Sequence, residues 1–174
     1  MKTIELANFI LSLDQSEEAD ITPMKLQKLL YFAHGYHLAI FGTPLLVDEK
    51  FEAWKHGPVV KDVYESFAAH GNKHIPFKGT PKLSINSKSI ELIKDTFKVY
   101  NRFSAGQLSK ITHLKGTPWY GKGNYEVIPN DEIKIFFSTQ KEQLIKMVED
   151  IEDEDFVQNF DKNKYKDFVD FDSI

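Results

Sequence analysis

Residues 22–42 read TPMKLQKLLYFAHGYHLAIFG, and this stretch decides the fold. Thr22 offers a side-chain oxygen to free helix N–H groups, and Pro23 takes the first helical position, where its missing N–H costs nothing. From Met24 to Phe41 the apolar residues Leu26, Leu29, Leu30, Ala33, Ile40 and Phe41 share one face. Gly42 supplies the left-handed residue that ends a helix. Lys25 and Lys28 fall near the positive end of the helix dipole, where they cost about a few tenths of a kcal/mol, so their side chains are expected to point outward.

Working outward, Ile4, Ala7, Ile10 and Leu11 recur at helical spacing and predict an amphipathic helix over 3–13, followed by a polar loop over 14–21. On the other side, Gly42-Thr43-Pro44 breaks the pattern. Leu45–Val47 and Phe51–Trp54, around polar Asp48-Glu49-Lys50, predict a small β-hairpin. His56-Gly57-Pro58 stops its second strand, and Pro58 is expected to open a third helix carrying Val59, Val60, Val63, Tyr64 and Phe67 and closing at Gly71. Residues 71–86 read as surface loop. A fourth helix fits 87–101, and Ser104 with Gln107 forms a capping box for a fifth over 105–115. Asn130 is expected to cap a short helix 131–138, and Thr139 with Glu142 to start another reaching about Ile151. The fold class is mainly α (α+β): a helical domain of six to seven helices with one small β-hairpin, over residues 1–140, followed by a C-terminal helix and acidic aromatic tail over 141–174.

The chain has 174 residues, 41% hydrophobic and 28% charged, with 14 Phe, 7 Tyr and 2 Trp, enough for a core without staples. Zero Cys excludes disulfides, thiolate metal sites and cysteine nucleophiles. No apolar run approaches the ~20 residues that span a bilayer, and Met1-Lys2-Thr3-Ile4-Glu5 does not open a signal peptide. A cytoplasmic protein with no membrane partner is expected. Residues 149–174 hold ten acids against Lys162, Lys164 and Lys166, a net −7, while residues 1–148 carry +3. Such a tail repels phosphates, so direct nucleic-acid binding is not expected.

Six His invite a metal reading, yet His34 and His37 are three apart with no Glu-x-x-His and no Cys to complete a ligand set; we expect no metal and no cofactor. Nucleophile-elbow, Walker and dinucleotide motifs are absent, and the chain is not expected to be an enzyme. Lys25, Gln27 and Lys28 at the head of the second helix could mimic a recognition helix with the hairpin as a wing, but Leu, Phe and Tyr dominate that helix.

Three blocks are more specific. They are Thr22 to Gly35; Pro44-Leu45-Leu46 with Phe51 to Val60, then Val63-Tyr64 and Phe67; and Leu108 to His113 with Pro118-Trp119 and a segment from Ile133 to Phe137. In this order, over residues 3–140, they resemble the Panacea domain of SocA-like antitoxins. The resemblance implies an antitoxin of a bacterial or phage (prophage) toxin–antitoxin pair that neutralises a co-encoded toxin by direct protein–protein binding. An alternative is the proteolytic adaptor role of the SocA branch, which delivers the toxin to a protease. From a different class, a DNA-binding transcriptional regulator is weighed; relatives carry added DNA-binding modules, but here the first helix is expected at residue 3 with no module before it. The partners implied are a cognate toxin and, for the adaptor, a protease; a homo-oligomer is compatible with either. Partner-binding candidates are Lys25, Gln27, Lys28, Tyr31, His56 and His113. Trp54, Tyr64 and Trp119 read as core anchors, and Gly57 and Pro58 as the sharp turn from hairpin to helix.

Overall fold

The structure, a computed structural model, describes residues 2–14, 20–77, 79 and 81–140. Among them are six α-helices and a three-stranded sheet: α1 (Thr3–Leu13), α2 (Pro23–Phe41), β1 (Phe51–Trp54), β2 (Gly57–Val59), α3 (Lys61–Phe67), α4 (Ser87–Tyr100), α5 (Ala105–His113), β3 (Glu126–Ile128) and α6 (Asn130–Ser138). The mainly helical class with a small β part therefore holds. No helix among the described residues is long and apolar enough to cross a membrane.

α2 begins where its sequence says it should. The Thr22 hydroxyl accepts from the Lys25 N–H at 3.2 Å, and Gly42 ends it at φ 72°. Unlike an ordinary surface helix, α2 is buried on every side from Lys25 to Leu38, because α1, α4, α5 and α6 pack around it and β2 lies against it. Its C-terminal half is held by rings. Phe32 stacks on Tyr100 at 4.0 Å between centroids, and Phe137 of α6 sets its edge against Tyr31 and Tyr36. Gly35 has no side chain because the Phe137 ring occupies the space a Cβ would need.

Burial favours the neutral ring at both histidines of this half. His37 Nδ1 donates to the Thr43 carbonyl at 2.7 Å, so its Nε2 accepts from Ser89 Oγ at 2.8 Å. His34 Nδ1 accepts from the Leu46 N–H, so its Nε2 donates to Asn130 Oδ1 at 3.0 Å. Burial pushes His34 down to about 4 and lowers His37 as well, disfavouring the charged ring in both.

Several expectations are corrected. Leu45–Val47 is not a strand: it pairs with no other segment of the sheet, and Leu45 and Leu46 are both buried in the core. The hairpin is instead β1 with β2, in the register Glu52↔Val59, Ala53↔Pro58, Trp54↔Gly57. Pro58 therefore lies in a strand and α3 starts at Lys61. A third strand, β3, pairs antiparallel with β1 through Phe51↔Ile128, making the order β2-β1-β3. Pro129 rather than Asn130 precedes α6, since the Asn130 amide is taken by His34. Thr139, expected to open a further helix, instead closes α6; from residue 141 on, that expected helix and the acidic tail lie outside the described residues.

Candidate functional site

The β1–β2 connection is two residues long, Lys55 and His56, both exposed. Tight hairpin turns leave carbonyls without partners in the ladder. Here side chains from three separate elements supply those partners. Trp119 Nε1 donates to the Trp54 carbonyl at 2.9 Å. His113 Nε2 donates to the Lys55 carbonyl at 3.0 Å, and Ser109 Oγ donates to the His56 carbonyl at 3.0 Å. Lys28 Nζ donates to the Pro58 carbonyl at 2.9 Å. Gln27 grips Val60 twice: its Oε1 accepts the Val60 N–H at 2.8 Å, and its Nε2 donates to the Val60 carbonyl at 3.1 Å. Six bonds thus hold five of the seven residues from Trp54 to Val60.

Local sequence explains why this works. Residues 27 and 28 sit next to each other in the second turn of α2, on the side that β2 covers. Ser109 and His113 are four apart, hence on one face of α5. The His113 ring lies 3.7 Å from that of Trp119, so the two donors brace one another. Gly57 is required twice over: its φ is +101°, and a Cβ there would meet Thr112 Oγ1 at 2.5 Å and Lys28 Cε at 2.8 Å.

Lys28 is completely buried, and no carboxylate among the described residues pairs with it. Burial lowers its pKa to about 7, because a desolvated ammonium with a single carbonyl partner is disfavoured. Lys25, one turn earlier, solves the same problem differently. Its Nζ sits 2.7 Å from both Asp20 oxygens and donates to the Asn101 carbonyl at 2.8 Å. The expectation that Lys25 and Lys28 point outward is thereby overturned, and Gln27 is buried beside them. Each is buried because it serves a main-chain carbonyl or a carboxylate that the fold brings to it. Tyr31 is buried as well, its ring edge-on to Phe51 and its hydroxyl without a hydrogen-bond partner; burial and the Glu132 charge raise its pKa.

Beside the turn lies a cleft of about 320 Å³ whose walls include Gln27, Lys28, Trp54, Lys55, Tyr64 and Tyr125. Trp54 is half-buried between two tyrosines, with ring centroids 4.8 Å from Tyr64 and 5.2 Å from Tyr125. Its Nε1 donates to Glu52 at 2.8 Å. Tyr64 is 42% exposed, so the core-anchor expectation does not describe its ring; Trp119 is half-buried against the core. Tyr125 was not anticipated. It is the one non-glycine at positive φ among the described residues, at 66°, a conformation that costs roughly 1–2 kcal/mol. The bond from its N–H to the Ala53 carbonyl at 2.8 Å holds it there, and the ring, 60% exposed, is turned onto Trp54. Gly121, Gly123 and Asn124 before it signal in the sequence a loop over Gly121 to Tyr125, though not its positive φ.

Of the expected candidates, the structure therefore gathers Gln27, Lys28, His56, His113, Trp54, Gly57, Pro58, Tyr64 and Trp119 around one turn. Lys25 and Tyr31 lie elsewhere on α2. No group of three or more His, Asp or Glu side chains is placed to hold a metal among the described residues.

Residues 26–120 match the family model of the SocA-like antitoxin Panacea domain. Antitoxin SocA of Caulobacter vibrioides (strain NA1000 / CB15N) is 38% identical over 125 residues, which cover 66% of this chain and 66% of that protein, just under two thirds of its length. No solved structure matches.

Proposed function

Because the chain belongs to the SocA-like antitoxin Panacea domain family, we propose that it is an antitoxin that neutralises a co-encoded toxin by binding it directly. The clamped turn and its cleft form the docking face. One observation carries this assignment of the face: side chains from α2, α5 and the Trp119 loop spend their hydrogen bonds on fixing a two-residue turn that leaves only Lys55 and His56 exposed. Rigidity of this kind lowers the ordering cost of association. Trp54, Tyr64 and Tyr125 add the aromatic surface that dominates binding energy at interfaces.

In this reading His56 touches the toxin, as does its neighbour Lys55. Gln27, Lys28 and His113 act by holding the turn in place, while Lys25 and Tyr31 hold α2. The chain works in the cytoplasm, where a co-encoded toxin is made, and does so without catalysis of its own.

The test is co-expression with the neighbouring toxin in a host lacking the adaptor-dependent proteases. Direct neutralisation predicts full rescue of growth and a stable complex on copurification. Rescue that vanishes in this host, with toxin accumulating, would instead establish delivery to a protease.

A further inference from the structure

The cleft has a chemistry that the last 23 residues of the same chain match. Its described lining holds two lysines and a histidine and not a single acid, although the whole chain carries a net charge of −4. Glu52, outside the lining, accepts from Trp54 Nε1 at 2.8 Å. The cleft therefore offers aromatic walls, a rim of Lys55 and His56, and the Lys28 amine beneath Gly57. A fitting occupant carries a ring with a carboxylate one residue away.

Residues 152–174 repeat that pairing. All four phenylalanines there adjoin an aspartate: Asp155-Phe156, Phe160-Asp161, Asp167-Phe168 and Asp170-Phe171-Asp172. A merely solvating acidic tail has few aromatics. We propose that an Asp-Phe pair of residues 152–174 occupies the cleft of its own chain, the ring against Trp54, Tyr64 and Tyr125 and the carboxylate at Lys55 and His56. A volume near 320 Å³ suits one ring and its neighbour rather than a longer ligand. Reach is no obstacle: the eleven residues after Gln140 span up to about 36 Å when extended, against a radius of gyration of about 14 Å for a 140-residue body. Linkage also gives the pair a high effective concentration, on the order of millimolar, so weak individual contacts suffice.

The chain has no cysteine, so disulfide trapping in the full-length protein reads the contact without background. Asn124→Cys, on the cleft wall, is combined in turn with Val169→Cys and with Val157→Cys; Ile135→Cys, exposed on α6, replaces Asn124→Cys in the controls. The proposal expects at least one Asn124 pair to form an intramolecular disulfide at least tenfold faster than its Ile135 control. It also expects that advantage to fall severalfold with Lys55→Glu or in 1 M salt, where screening acts within about 3 Å. Equal rates for both pairs and their controls overturn the proposal, and so do disulfides found only between two chains, which would seat a second copy instead. Neither measurement involves a toxin, so the result stands apart from the antitoxin reading.

Discussion

The two halves of α2 are equally buried and do different work. From Tyr31 to His37 the helix meets Phe137, Tyr100 and Phe51, and His34, Tyr36 and His37 bond to other side chains and loops inside the fold. From Lys25 to Lys28 it buries three polar side chains in a row of four and sends two of them to a surface turn. An apolar Leu or Met at position 28 would avoid the desolvation of an ammonium. The difference teaches that apolar burial here builds stability, while polar burial marks the place where the fold holds a particular piece of backbone still.

Breaking the aromatic half should have the largest effect on stability. Phe137→Ala removes a ring that fills the space at Gly35 and contacts Tyr31 and Tyr36. A loss of about 3–5 kcal/mol is expected in denaturant unfolding, a large fraction of what a domain of this size has. A loss below about 1 kcal/mol would mean that this half is not the seat of stability.

In the polar half, Gln27→Ala leaves the Val60 N–H and carbonyl unserved. About 2–3 kcal/mol should be lost, with neutralisation falling further than the melting temperature alone explains. Equal falls in both for Gln27→Ala and Phe137→Ala would erase the distinction between the halves.

Lys28 gives the comparison a pH signature. Its pKa is near 7 in the fold and ordinarily 10.5, so between these values the unfolded chain binds the extra proton. Stability should therefore rise with pH from about 7 to 9, by up to about 1.4 kcal/mol per unit, and be lost again as pH falls through that window. His34 adds a second fall between its ordinary 6.5 and about 4. Unfolding titrations of Lys28→Met should lose the alkaline rise and keep the acidic fall. A Lys28→Met profile that still rises between pH 7 and 9 would refute this origin.

How far the sequence revealed these halves follows the range of each interaction. Thr22-Pro23, Gly42, Ser104 with Gln107 and the 3.6-residue stripes are local signals, and α1, α2, α4 and α5 came out within a residue or two of where they were expected. The hairpin was misplaced because Leu45-Leu46 and Phe51–Trp54 look equally strand-like on their own. The bonds of Lys28 to Pro58 and Gln27 to Val60, which hold β2 beside β1, are long-range and leave no local signal. The same bonds explain why Gln27 and Lys28 looked like surface residues: nothing within α2 satisfies them, and their acceptors lie 30 and 33 positions away. Tyr125 left no side-chain signal at all, because its role comes from a backbone angle.

The smallest expected effect on stability belongs to the exposed pair on the turn. Lys55→Glu with His56→Glu alters no hydrogen bond made by those side chains among the described residues, and should move stability by no more than about 0.5 kcal/mol. Titration calorimetry of this double variant against the purified cognate toxin reads whether the turn is the docking face. With the turn as docking face, the melting temperature stays unchanged and toxin binding weakens at least a hundredfold. Toxin binding within twofold of the unsubstituted protein, with the fold intact, would contradict it.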